Sequence, residues 1–277
     1  MKFAIVDGNK IEAIKGAKGV CPLCSSELIA KCGEFKINHW AHKGIRNCDP
    51  WWEPKTEWHR EWKGNFPIDW QESIQFDSST NEKHIADVRT DKGLVIEFQH
   101  SYINPEERRQ RENFYKNMIW IVDGARLERD FPRFLKAKER NDFFRIKPKI
   151  FRIEFADECF PKNWLESSVP VIIDFKGTDS IDKVQNSRTL LYCIFPIQDG
   201  MFGAVFAEIS RNALIKSIIN GEWQTRYANF MNDWIEGNKR KEEAAKLELE
   251  KQQEAARIAF NQKFIFGRKY TGWKGRF

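Results

Sequence analysis

Two carboxylates, Asp87 and Glu97, sit in short β-rich runs, His84-Ile85-Ala86-Asp87-Val88-Arg89 and Gly93-Leu94-Val95-Ile96-Glu97-Phe98-Gln99. Hydrolysis of a phosphodiester needs a divalent cation that polarises the phosphate and lowers the pKa of an attacking water, and Mg²⁺ or Mn²⁺ takes carboxylate oxygens. If the runs are neighbouring antiparallel strands, both acids stand at one end of a hairpin and can share a cation. The strand period of two places Gln99 on the face of Glu97, toward metal and phosphate. The opposing reading is a solvated Glu97 paired with a surface base, and the hairpin by itself does not decide between them.

A second constellation is Cys21-Pro22-Leu23-Cys24, then His39-Trp40-Ala41-His42, then Cys48. Zinc takes four sulfur or nitrogen ligands in a tetrahedron, and ligand pairs on short turns can close one. Cys21 and Cys24 anchor the set, and His42 with either His39 or Cys48 completes it. Cys32, beside Gly33 in an expected turn, stays outside. Four protein ligands leave no open position, so the zinc is structural. The competing readings are a redox CxxC, which lacks a thioredoxin-like βαβ pattern around it, and unconnected buried thiols.

The elements that must position these groups are legible between residues 55 and 123. Lys55-Thr56-Glu57-Trp58-His59-Arg60-Glu61-Trp62-Lys63 spaces Trp58 and Trp62 one helical turn apart, so a helix buries both indoles. Thr90-Asp91-Lys92-Gly93 has hairpin turn chemistry, which makes the two acid-bearing runs antiparallel neighbours. Asn104-Pro105-Glu106-Glu107 supplies a cap, a first-turn proline and acids for a helix dipole. The helix carries Arg108, Arg111 and Tyr115 and leads into Met118-Ile119-Trp120-Ile121-Val122-Asp123, an apolar run typical of a buried parallel strand.

This succession, with Ile85-Ala86-Asp87-Val88, Val95 to Ser101, the arginine helix, Cys21-x-x-Cys24, His39 to His42 and Thr56 to Lys63, resembles the competence protein CoiA-like family, whose nuclease domain belongs to the PD-(D/E)xK superfamily. The resemblance covers about residues 18 to 130. It implies an α+β or α/β fold with a restriction-endonuclease-like core, a mixed sheet flanked by helices. It implies Asp87 and Glu97 as Mg²⁺ or Mn²⁺ ligands, Gln99 as the positioner of water or phosphate, and Glu57 as a supporting acid. The superfamily's usual lysine is replaced by Gln99. A lysine can stabilise developing negative charge, whereas a glutamine only hydrogen-bonds, so Lys63 or His59 is the expected source of the missing function.

Length and composition set the frame. The chain has 277 residues, 41% of them hydrophobic, enough for about two domains. Its net charge of +6, from 46 basic against 40 acidic residues, is too balanced to argue for a nucleic-acid partner unless the bases cluster. Composition divides it into a zinc-finger-like module (1–50), a nuclease-like domain (51–140), a second α+β region for recognition (141–235), and a long helix with a basic aromatic tail (236–277). Lys63, Arg108, Arg111, Lys269 and Trp273 are the expected nucleic-acid contacts. A solvated helix face competes for the two arginines, and an aromatic tail packed on the body competes for the last two residues.

The opening residues do not resemble a secretory leader and no run approaches about 18 apolar residues, so a cytoplasmic location away from the membrane is expected. The leading reading is a metal-dependent DNA endonuclease with a structural zinc, acting in DNA uptake, DNA processing or defence against foreign DNA. The alternative is a noncatalytic, zinc-containing nucleic-acid-binding or recombination accessory protein. An activating protein partner and homo-oligomerisation both stay open.

Overall fold

Short strands dominate the first 42 residues: β1 (Phe3–Val6), β2 (Asn9–Glu12), β3 (Lys18–Val20), β4 (Glu27–Lys31) and β5 (His39–His42). Asp7 and Gly8 both have positive φ, the backbone a two-residue hairpin requires, and they join β1 to β2. The five strands form one antiparallel sheet in the order β2-β1-β3-β4-β5, over a core that includes Ala4, Leu28 and Trp40. The sheet that carries the metal candidates therefore begins at Phe3, ahead of the first cysteine.

In the computed structural model, residues 1–34, 37–44, 48–51, 55–78, 80–175, 190–199 and 203–270 are described, the side chains of 198–199 and 262–270 excepted. After the first sheet come α1 (Glu57–Gly64), β6 (Gln71–Phe76), β7 (Lys83–Arg89), β8 (Val95–Gln99), α2 (Pro105–Tyr115), β9 (Met118–Asp123) and α3 (Asp130–Glu139). Next are β10 (Phe144–Lys147), β11 (Ile150–Ile153), α4 (Lys162–Leu165), β12 (Val171–Asp174), β13 (Leu190–Asp199), β14 (Gly203–Ser210), α5 (Arg211–Ile219) and α6 (Trp223–Tyr270).

Strands β6 to β14 make a single nine-stranded mixed sheet, β10-β11-β14-β13-β12-β9-β8-β7-β6. Among the described residues, only the β8–β9 and β9–β12 joins are parallel. The fold is therefore mixed α+β. The second α+β stretch joins the first through this sheet, and one apolar core runs from Ala86 and Trp120 through Phe134 and Phe160 to Tyr192 and Phe206.

The local signals translate directly. Asn104 Oδ1 accepts from Glu106 N at 2.9 Å, Pro105 opens α2, and β9 is buried at every position beside its parallel neighbour β8. Thr90 and Gly93 close the β7–β8 turn through Gly93 N to Thr90 O at 2.9 Å, with Gly93 at φ +77.

Helix α1 buries Trp58 and Trp62, and their indole N–H groups need an acceptor. Both donate to Asp174 Oδ2, at 3.1 and 2.9 Å, and Arg211 pairs with the same oxygen while its guanidinium lies over the Trp62 ring. Asp174 is fully buried and joins α1, β12 and α5.

The chain divides into two compact units, residues 1–221 and 222–277. The second is built on α6, which starts at Trp223 rather than at Glu236, because Trp223 to Ile235 contains no Gly or Pro to delay it. Leu247, Leu249, Ile258 and Phe260 on α6 are exposed. Among the described residues, no helix is long and apolar enough to cross a membrane.

Asp174→Ala strips an acceptor from two indoles and leaves the Arg211 charge unpaired. It is expected to lower stability by about 3–5 kcal/mol, read by urea unfolding at unchanged m-value.

Candidate active site and metal centre

The first sheet brings four ligand atoms together. Cys21 follows β3, and a tight turn, with Ser25 N donating to Cys21 O at 2.9 Å, presents Cys24. His42 ends β5, and Cys48 follows in the next loop. Cys24 Sγ and Cys48 Sγ lie 3.3 and 3.4 Å from His42 Nε2, and Cys21 Sγ lies 3.9 Å from Cys48 Sγ. All four ligand atoms are within 4.8 Å of one another. Zn–S and Zn–N bonds of about 2.3 and 2.0 Å set tetrahedral ligand separations of roughly 3.5–3.8 Å, so this donor set fits zinc. Burial opposes ionisation of Cys24, but hydrogen bonds with Ser26 and His42 prevail and lower its pKa to about 6.

The choice between His39 and Cys48 is made by the strand. His39 and His42 are three residues apart on β5 and face opposite sides. His39 Nδ1 instead meets Ile37 O at 2.8 Å. Cys32 lies apart from the cluster, its thiol donating to Ala13 O at 3.6 Å.

The second site lies at the end of the β7–β8 hairpin. Paired positions Val88–Ile96 and Arg89–Val95 carry the register to Asp87 opposite Glu97, where the ladder stops. Each carboxylate takes over the other strand's backbone: Asp87 N donates to Glu97 Oε1 at 3.0 Å, and Phe98 N donates to Asp87 Oδ2 at 3.1 Å. On the other flank, Gln71–Val88 and Ser73–Ala86 place Glu72 opposite Asp87. Glu72, Asp87 and Glu97 thus form a row across three strands, and all three are buried.

Like charges opposite each other in a sheet repel, so the row needs cations. Asp87 Oδ1 receives Lys55 Nζ at 2.7 Å and Lys63 Nζ at 2.8 Å, and Lys63 Nζ also reaches Glu72 Oε1 at 3.2 Å. Arg111 Nη1 lies 3.3 Å from Glu97 Oε2, while Arg111 also pairs with Glu107 and donates to Trp51 O at 2.6 Å. Glu72 accepts from Lys2 N at 2.8 and 3.0 Å and from Phe3 N at 3.1 Å.

The titrations follow from this arrangement. Burial alone would raise Asp87, but the Lys55 and Lys63 ammoniums prevail and hold it well below the usual carboxylate range. Lys63 likewise outweighs burial at Glu72, which falls to about 2. Glu97 is pushed up to about 7, first by burial and then by the charge on Asp87, against the pull of Arg111 and Lys55.

Asp49, Lys55, Glu72, Asp87, Glu97 and Tyr115 line a cleft of about 30 Å³. That volume holds about two water-sized occupants. A nucleotide does not fit within it, so a phosphate would have to be met at its mouth.

Several expected site residues sit elsewhere. Glu57 is exposed at the start of α1 and does not line the cleft. His59 is fully buried; Nε2 donates to Phe98 O at 3.1 Å and Nδ1 accepts from Thr56 N at 3.2 Å, which occupies both ring nitrogens structurally. Gln99 is buried, and its amide donates to Ser101 O at 3.2 Å.

Three expected nucleic-acid contacts are also internal. Lys63 is 1% exposed and belongs to the acid row. Arg111 is committed to Glu97 and Glu107. Arg108 is fully buried and pairs at 2.8 Å with Glu112, whose carboxylate also accepts from Trp120 Nε1, Ser167 and Ser168. Lys269 lies in α6 with its side chain outside the described residues, as Trp273 is altogether.

Sequence reasoning missed Glu72, Lys55 and Asp49. Glu72 gave no signal because β6 is an edge strand with Ile74 and Phe76 exposed, which blurs its alternation. Asp49 accepts from Ile85 N at 3.0 Å and His84 Nδ1 at 3.1 Å, contacts made across 35 residues or more.

Residues 4–50 match the family described as competence protein CoiA, N-terminal domain, and residues 81–155 match competence protein CoiA, nuclease-like domain. The chain is 28% identical over 145 residues to a Bacillus subtilis (strain 168) protein described as competence protein CoiA. That match spans 48% of this chain and 38% of the relative's length. No solved structure matches. The four candidate metal ligands lie within the first family match, and Asp87, Glu97 and Arg111 lie within the second. Lys55, Lys63 and Glu72 fall between the two.

Native protein is expected to carry one equivalent of zinc by elemental mass spectrometry. Cys48→Ser should lose most of it, whereas His39→Ala should keep it; equal retention by both variants would overturn this ligand set.

Proposed function

We propose that this CoiA-like chain is a metal-dependent nuclease that hydrolyses DNA phosphodiesters at the Asp87–Glu97 site. The observation that carries this reading is the pair of buried carboxylates facing each other where the hairpin ladder ends, at a cleft sized for an ion and a water. Their hard oxygens are the donors Mg²⁺ and Mn²⁺ prefer, with Glu72 beside them as a third. When bound there, the cation would polarise the phosphate and acidify a water.

The protein's own groups do the rest. Glu97 is held by Asp87 N and Asp87 by Phe98 N, so the donors are oriented before any ligand arrives. Lys55 and Lys63 keep Asp87 ionised, and the half-buried Tyr115 and Trp51 in the cleft wall narrow access for bulk water. Cys21, Cys24, His42 and Cys48 would hold a structural zinc that fixes the first sheet, with no position left for chemistry.

By this reading residues 1–50 are the zinc module, 51–140 the nuclease segment, 141–235 its accessory or recognition region, and 236–277 a charged helix and basic aromatic tail. The cellular setting that fits is cytoplasmic DNA uptake, DNA processing or defence against foreign DNA.

One observation favours the second reading, a protein that binds DNA without cutting it. Asp87 Oδ1 already has two ammonium partners, and Gln99, in place of the usual lysine, is turned to Ser101. Plasmid cleavage in Mg²⁺, Mn²⁺ or EDTA separates the two. Metal-dependent nicking by wild type should fall at least about 100-fold in Asp87→Ala and Glu97→Ala, as loss of a metal ligand at the reacting centre demands. Nicking that persists in both variants would remove the site assignment, and DNA binding with no nicking in either metal would select the second reading.

A further inference from the structure

The three cations of the acid row are held unequally. Lys63 is fixed from two sides, by Asp87 at 2.8 Å and Glu72 at 3.2 Å, with its side chain 2% exposed. Arg111 is fixed by Glu97, Glu107 and the Trp51 carbonyl. Lys55 has a single carboxylate partner among the described residues, Asp87 Oδ1 at 2.7 Å; its side chain is 20% exposed, and it lines the cleft.

Its place in the chain adds to the contrast. Lys55 directly precedes Thr56, the N-cap of α1, so its backbone is anchored while its flexible four-carbon stem is free to turn. Lys63 stays on the same Asp87 oxygen, so departure of Lys55 leaves that buried carboxylate paired.

The ammonium of Lys55 also stands where a divalent cation must bind. Asp87 Oδ1 already takes two ammoniums, so a divalent cation there would be a third positive centre on one oxygen in a cleft of about 30 Å³, and departure of Lys55 relieves that repulsion. A phosphate is met at the cleft's mouth, within the sweep of a lysine stem rooted at its wall. Gln99 brings no charge to this place.

We propose that Lys55 is a catalytic residue of this site: its ammonium rests on Asp87 until a divalent cation takes that carboxylate, and then turns to the scissile phosphate and stabilises the negative charge that develops there. The assignment rests on the nuclease reading above. Lys55 moves no proton and forms no bond; its part is electrostatic, the part that Gln99 cannot play. It also makes metal binding a competition, because the cation must displace a charge that is already present.

The test uses the full, zinc-loaded chain and the variants Lys55→Met, which keeps the stem and removes the charge, and Lys55→Arg, which keeps the charge. Mn²⁺ is titrated calorimetrically without DNA, and plasmid nicking is measured separately. Lys55→Met should bind Mn²⁺ about tenfold tighter and nick about 100-fold slower, and Lys55→Arg should recover part of the nicking. A residue that only supported the fold would weaken both properties together.

Unchanged or weaker Mn²⁺ binding by Lys55→Met, or unchanged nicking, overturns the role of Lys55 and leaves the nuclease reading standing. Wild type that binds Mn²⁺ yet nicks no DNA overturns the nuclease reading and the catalytic role of Lys55 with it. If Lys55→Met fails to fold by thermal melting, Lys55→Gln is measured in its place, with the same expectations.

Discussion

Three carboxylates buried side by side on adjacent strands repel one another, and burial strips each of the water that would screen it. Desolvation costs several kcal/mol per ion even after relaxation, so the row Glu72, Asp87, Glu97 can persist only if every oxygen finds a donor or a cation. Lys63 comes from α1, Arg111 from α2, and the N–H groups of Lys2 and Phe3 from the start of the first sheet. The elements around the row are therefore the ones that supply its counter-charges. In turn, α1 is fixed by the Asp174 cluster, so a contact made 112 residues away along the chain helps to place Lys63.

The candidate metal centre is tied to the same row at two points. Cys48 is followed by Asp49, whose carboxylate holds Ile85 N, two residues before Asp87 on β7. The backbone of β1, whose sheet carries the cysteines, holds Glu72. A zinc that closes the Cys21, Cys24, His42 and Cys48 tetrahedron would fix the loop and the strand that position two of the three acids. The two family matches cover the candidate metal ligands and the central acids, but the segment between them carries Lys55, Lys63 and Glu72. The acid row is complete only when that segment packs against both.

Legibility along the chain depended on how local each cause was. The spacing of Trp58 and Trp62, the turn at Gly93, the Asn104 cap and the apolar run of β9 are each contained within one element, and each formed as its residues imply. Cys21 and Cys24 were equally plain because a tight turn joins them. By contrast, Arg108 and Arg111 read as surface groups because arginines spaced along a helix usually are. Glu112 and Glu97, which draw them inside, become partners only after α2 packs on the sheet.

What the sequence determined by itself was the set of groups able to do chemistry and the elements that carry them, since turn, cap and periodicity signals act within a few residues. Tertiary structure decided which of those groups meet. Strand register set Glu72 on the other side of Asp87 from Glu97. The opposite faces of β5 admitted His42 and left His39 out. Charge balance in a buried cleft brought in Lys55 and Lys63 while Gln99 turned to Ser101. These are pairings across tens of residues, settled by burial and Coulomb energy, which no local pattern encodes.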